Sequence, residues 1–237
     1  MEFHNKKILI TGASRGIGRA TAIEFAKRGG IVGINYANND SEAVKTLGML
    51  ENSGHKLFKY DISNIESQKE LIEDFVSEFD IIDILINNAG IIQKHEIDNI
   101  SFEAWQKSWK QIFDTNLFAA ANLSFLSSEY MIRQGGGRIV NVSSRGAFRG
   151  EPDMPAYGAS KAALNSMTQS LAKKLAKYNI FVSAVAPGFV NTDMGTSDLT
   201  DAELQAVLSE NPFGRMASPE EVAHSIVFLA SKDAAYN

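Results

Sequence analysis

The stretch Lys7-Ile8-Leu9-Ile10-Thr11-Gly12-Ala13-Ser14-Arg15-Gly16-Ile17-Gly18-Arg19 decides the fold. Lys7–Thr11 is an apolar run of strand length, and Arg19–Arg28 reads as a helix. Between them lies a loop with glycine at 12, 16 and 18. Glycine adopts backbone angles that other residues avoid and lets another group come close. The helix behind the loop offers free N–H groups and the positive end of its dipole, the setting that holds a phosphate. A plain glycine turn is the alternative, and the strand-loop-helix context favours the phosphate. The spacing departs from Gly-x-Gly-x-x-Gly, and no Gly-Lys-Ser/Thr follows, which argues against a nucleoside-triphosphate loop.

The same alternation repeats along the chain. Strands are predicted at Ile31–Tyr36, Lys56–Tyr60, Ile81–Asn87, Arg138–Val142 and Ile180–Ala186. Helices are predicted at Ser41–Asn52, Ile65–Phe79, Phe113–Ile132, Tyr157–Tyr178, Asp201–Glu210 and Pro219–Ser231. Strands that alternate with helices argue for a parallel sheet covered on both faces. The strands lack polar alternation, as expected for burial on both sides. The expected fold is α/β, a doubly wound parallel sheet of Rossmann type, in a single domain over residues 1–237. Ser218, Pro219 and Glu221 form a capping-box start for the last helix.

Composition removes several function classes. The 237 residues are 44% hydrophobic and 22% charged, an ordinary globular balance. There is no cysteine, which excludes disulfides and thiolate chemistry. The formal charge of −5 and the lack of a basic run argue against nucleic acid. No run approaches membrane-span length, and Met1–Lys7 is too polar for a secretory signal, so a cytoplasmic protein is expected. The four histidines lack metal-ligand spacing, and no metal is expected.

Further motifs follow the loop in order. Asp61 ends the third strand, and Asn87-Asn88-Ala89-Gly90 follows the fourth. Asn116 sits in the next helix, and Ser144 closes the fifth strand. Tyr157-x-x-x-Lys161 comes 13 positions after Ser144, and Pro187-Gly188 follows the sixth strand. With Thr-Gly-x-x-x-Gly-x-Gly at the front, this set resembles the short-chain dehydrogenase/reductase family over roughly residues 6–231. Within that family the pattern is most similar to reductases of 3-oxoacyl groups on acyl carrier protein.

Tyr157 and Lys161 are four residues apart and share a helical face. A free phenol titrates near 10, and a nearby ammonium is expected to lower it, giving an acid/base centre. The resemblance implies that Ser144, rather than Ser143, hydrogen-bonds the substrate oxygen, and that Asn116 positions a water in a proton relay. It implies that Lys161 and Tyr157 hold the nicotinamide ribose. It places Gly12, Ser14, Arg15, Gly16, Ile17 and Gly18 on the cofactor phosphates, and Asp61 and Ile62 about the adenine. Asn88, Ala89 and Gly90 line the groove, while Pro187 and Gly188 open a further cofactor-binding loop that puts Val190 and Thr192 on the nicotinamide. Residues 189–215 are expected to form a lid. An acid at the end of the second strand would select NAD; Tyr36 stands there, and no acid appears until Asp40. With Arg15 available to a 2′-phosphate, NADP(H) is favoured over NAD(H).

Arg145, Phe148 and Arg149 are expected at the substrate mouth. His95 is read as a surface residue, with a place bordering the substrate as the alternative. Trp105 and Trp109 are read as packing. Two arginines that help such reductases bind their acidic carrier correspond to Gly135 and Tyr178 here. The family also continues into a final strand where this sequence ends at Asn237, which leaves homodimer and homotetramer both open. The leading expectation is an NADP-dependent oxidoreductase acting on a small-molecule or acyl-thioester carbonyl. The alternatives are a sugar or polyol dehydrogenase of the same fold and a non-catalytic nucleotide-binding regulatory protein.

Overall fold

In strand β1 (Lys7–Ile10), Ile8 and Ile10 point to one face and Leu9 to the other, and all three are fully buried. A strand apolar on both faces needs helices on both faces, and the computed structural model, which describes residues 2–193 and 200–235, supplies them. Strands β2 (Ile31–Tyr36), β3 (Lys56–Lys59), β4 (Ile84–Asn87), β5 (Gly137–Val142) and β6 (Ile180–Val185) complete one parallel sheet. Its order is β3-β2-β1-β4-β5-β6. Each fully buried aliphatic side chain contributes about 1.5–3 kcal/mol, so the two apolar layers are what hold the sheet between its helices.

Helix α1 (Gly16–Lys27) and a C-terminal helix over Pro219–Leu229 cover one face. Phe25, Ile226 and Val227 meet Ile8, Ile34 and Ile86 there. Helix α2 (Asp40–Met49) follows β2 and is capped by Asn39. Helix α3 (Ile65–Phe79) lies on the second face, where Phe75 and Phe79 meet Phe58 of β3.

Next comes one continuous rod. Helix α4 (Phe102–Phe113) passes through a π turn at Asp114–Phe118 into helix α5 (Ala119–Gln134). The rod starts eleven residues before the expected Phe113. Its first turns are largely exposed, yet Phe102, Trp105, Trp109, Ile112 and Phe113 recur at helical spacing, an apolar stripe that the sequence reading passed over. Local signals accompany it: Ser101 caps Ala104 N–H at 3.2 Å, Trp105 meets Trp109 at a tilt, and Trp109 stacks on Phe113, each pair at i, i+4 spacing. A short helix α6 (Gly146–Arg149) precedes α7 (Pro155–Leu175). Helix α8 spans Asp201–Glu210, and the Pro219–Leu229 helix is α9. Its capping box is complete: Ser218 Oγ accepts from Glu221 N–H at 3.2 Å, and Glu221 accepts from Ser218 N–H at 2.8 Å. Of the expected lid, residues 194–199 lie outside the described residues.

From β1 the chain crosses toward β2 and β3, whereas β4 leads on to β5 and β6. The carboxyl ends of β1 and β4 therefore flank the point where the winding reverses, and ligands of open α/β sheets bind outside that point. Among the described residues no helix is long and apolar enough to cross a membrane.

Candidate active site

The glycine loop after β1 is held by the loop after β4. Asn88 Nδ2 donates to the carbonyls of Thr11 and Gly12, at 2.8 and 3.2 Å. Thr11 Oγ1 accepts from the N–H groups of Asn88 and Ala89, each at 3.0 Å. Gly12 and Gly16 have positive φ, 63° and 55°. A side chain at Gly18 would sit 2.4 Å from the Gly12 carbonyl oxygen, so only glycine closes this turn. Helix α1 has no side-chain cap and no acid in its first turn. Its leading N–H groups are thus left to an anion, and the cradle fits the pyrophosphate of a nicotinamide dinucleotide.

A cleft of about 1210 Å³ runs from this loop across the sheet ends. Of the residues expected to hold the cofactor or act in catalysis, all line it except Gly18 and Asn116, which stand behind its wall. At one end, Asp61 and Ile62 border the cleft, and Asp61 also braces its own turn through Ser63 N–H and Oγ. Tyr36 Oη donates to Asp40 at 2.9 Å, and Lys59 Nζ donates to the other carboxylate oxygen at 2.7 Å. These two bonds, Lys59 foremost, hold the Asp40 carboxyl below the usual carboxylate range. Arg15 is exposed, 3.6 Å from the Asp193 carboxylate. Arg19 is committed to Glu42, Thr46 and the Ser14 carbonyl, a pairing that fixes the cleft floor.

The other end carries the titratable pair. Ser144, just past β5, hydrogen-bonds Tyr157, and its Oγ also accepts from Gly146 N–H at 3.1 Å. Ser143 turns inward, donating to the Lys161 carbonyl at 3.3 Å. Lys161 Nζ is buried and donates to the Val142 carbonyl at 2.8 Å, lying 5.9 Å from the Tyr157 ring centre. The expected lowering of the Tyr157 phenol by this ammonium is not what the geometry gives. Burial raises the phenol, Ser144 pulls it back, and the Glu151 charge pushes it up further. Burial also brings Lys161 itself down to about 8. The charge that was to stabilise the phenolate is itself penalised by desolvation.

Asn116 lies in the π turn and is fully enclosed. Its Oδ1 accepts from Ile91 N–H at 2.8 Å, and its Nδ2 donates to the Ile91 carbonyl at 2.9 Å and to Ser160 at 3.3 Å. A side chain on Gly90 would meet Asn116 Oδ1 at 3.3 Å and Lys161 Nζ at 3.5 Å. After β6, Val190 bridges Ala217, and Thr192 rests over Gly16. Pro187 accepts from Arg145 N–H at 2.9 Å, tying this loop to the one after β5.

Of the three residues placed at the substrate mouth, Arg145 lines the cleft, its guanidinium 4.0 Å over the Phe189 ring. Phe148 and Arg149 are exposed away from it, because α6 turns them outward. His95 is not a surface residue: it is 2% exposed and outside the cleft lining. Glu151, Met154 and Gln111 line the substrate end and carry no motif that a sequence reading could use. Gly135 ends α5 in the left-handed conformation, φ 88°, so an arginine there would be strained. Among the described residues, no three His, Asp or Glu side chains converge on a metal site.

Residues 6–203 match the family described as short chain dehydrogenase. The 3-oxoacyl-acyl-carrier-protein reductase FabG of Staphylococcus aureus is 36% identical over 233 residues, covering 98% of this chain and 93% of the relative. The protein of the same name from Thermotoga maritima is 39% identical over 241 residues, covering 100% and 94%. A crystal structure designated a short-chain alcohol dehydrogenase, from Sinorhizobium meliloti, superposes with a TM-score of 0.91 at 30% identity, covering 100% and 93%.

Proposed function

Because the chain belongs to the short-chain dehydrogenase/reductase family, whose members are NAD(P)-dependent oxidoreductases, we propose that it reduces the 3-oxo group of an acyl thioester with NADPH. The observation that carries this reading is Tyr157, hydrogen-bonded to Ser144 and raised by burial, at the end of a cleft that begins at a phosphate cradle. The nicotinamide cofactor supplies the hydride when bound. Tyr157, protonated at neutral pH, gives its proton to the carbonyl oxygen while Ser144 holds that oxygen. Lys161 orients the ribose and replenishes the proton. Asn116 has its amide engaged by Ile91 and Ser160, so it holds Gly90 and Ile91 beside Lys161 at the far end of the relay. Arg15 takes the 2′-phosphate, and the screened Asp40 no longer repels it. Residues 189–215 act as the lid of a single domain, and the enzyme works in the cytoplasm. Phe118 and Phe125, exposed on the rod that carries Asn116, seat a homodimer or homotetramer.

One observation favours a second reading. Arg145, Glu151 and Gln111 give the substrate end more polarity than an acyl chain needs, which suits a sugar or polyol. NADPH oxidation with acyl thioesters, sugars and steroids separates the two, with Tyr157→Phe as control. Removing this acid should lower kcat at least about 100-fold and leave NADPH binding intact. Equal turnover by both proteins sinks the mechanism. Tight NADPH binding with no turnover on any carbonyl would favour a regulatory protein. Equal or better kcat/KM with NADH sinks the cofactor assignment.

A further inference from the structure

Helix α7 delivers Tyr157 in its first turn, yet it starts without a cap of its own. Met154 at the N-cap offers no side-chain acceptor, and Pro155 has no N–H. The N–H groups of Tyr157 and Gly158 both turn back to the Met154 carbonyl, at 3.0 and 3.3 Å. The remaining donor, Ala156 N–H, bonds His95 Nε2 at 3.1 Å, from 61 residues away. Because Nε2 accepts, the ring proton sits on Nδ1, which lies 2.8 Å from the Gln93 carbonyl. His95 N–H also donates to the Asp153 carbonyl at 2.9 Å. The ring is buried edge-on to Trp105 of α4, with centres 5.4 Å apart. The segment carrying it begins at Gly90 and Ile91, which Asn116 holds beside Lys161.

We propose that His95 is a positioning residue for the reaction. It caps the catalytic helix from outside and fixes the Tyr157 phenol against Ser144. One imidazole thereby ties the groove wall next to Lys161 to the residue before Tyr157. A shift of the helix start by a fraction of a turn would draw the phenol away from Ser144 without touching the phosphate cradle. This inference rests on the reading of Tyr157 as the proton donor.

The test compares the wild type with His95→Phe, His95→Gln and His95→Asn. Phenylalanine keeps a ring against Trp105 and removes the acceptor. Glutamine reaches as far as Nε2 and restores it, whereas asparagine reaches only as far as Nδ1. The expected result for His95→Phe and His95→Asn is a kcat lowered about 10-fold or more, as for other small displacements of a reacting group. Their KM for NADPH stays within about 2-fold, because the cradle is untouched. Backbone hydrogen exchange at Ala156 and Tyr157 accelerates in both. His95→Gln recovers most of the kcat and the protection. Wild-type kcat in His95→Phe, or equal impairment of His95→Gln and His95→Asn, overturns the proposal. If His95→Phe does not fold, the Gln and Asn pair decides alone. If the wild type turns over no carbonyl, the proposed function has failed, and exchange at Ala156 then decides the cap: unchanged protection in His95→Asn overturns it.

Discussion

At the residue scale, the site works through burial. Burial holds the Tyr157 phenol above its ordinary value, so it stays protonated across neutral pH. Reduction, which consumes the phenol proton, should be level from about pH 6 to 8, and oxidation of the product alcohol should climb with pH through the alkaline range. Initial rates in both directions check this; oxidation that is fastest at neutral pH would contradict it. Lys161 carries the complementary cost. Its folded value of about 8 lies below the ordinary 10.5. Between those values the unfolded chain binds more protons, so stability rises with pH across that window, and below it the cost is present in full. A lowering of this size corresponds to about 3 kcal/mol. Lys161→Met should therefore melt above the wild type at neutral pH, less about 1 kcal/mol for the lost bond to Val142. The gap should close as pH passes 10, and thermal melts in a pH series read it directly.

At the element scale, helix starts decide where functional groups stand. The start of α1 is left open for a phosphate, that of α7 is closed by His95, and that of α9 by its own capping box. Helix α9 packs along α1, which carries the cradle. Ser218→Ala should cost about 1 kcal/mol and lower Tm by about 2–4 °C, measured by thermal unfolding. An unchanged Tm would mean that the Arg215–Glu221 pair, with Glu221 brought down to about 2, holds the turn alone.

At the scale of the whole molecule, the cleft joins parts that meet only because the winding reverses between β1 and β4. A ligand that bridges those parts binds the folded chain alone. NADPH at about 100 times its Kd should add about 2.7 kcal/mol, or about 5–10 °C in Tm. NADH at the same concentration should give a smaller shift, and Arg15→Ala should narrow the difference. Equal shifts in the wild type would remove Arg15 from the 2′-phosphate.

The order of the strands and of most helices, the glycine loop, the α9 cap and the ordered motif set were legible in the sequence, because each rests on local spacing and backbone chemistry; α4 and the short α6 were not read from it. Gly12, Gly16 and Gly18 announce a turn wherever they fall, and apolar runs such as Ile8-Leu9-Ile10 announce a buried strand. The tertiary structure alone decided what each polar group faces. Asn88 holds Thr11, Asn116 holds Ile91, and His95 reaches Ala156 across 61 residues; no local pattern encodes such a pairing. The sign of the Tyr157 shift belongs to the same class: spacing put an ammonium near the phenol, but desolvation of both groups outweighs their proximity, and desolvation exists only once the chain has closed around them.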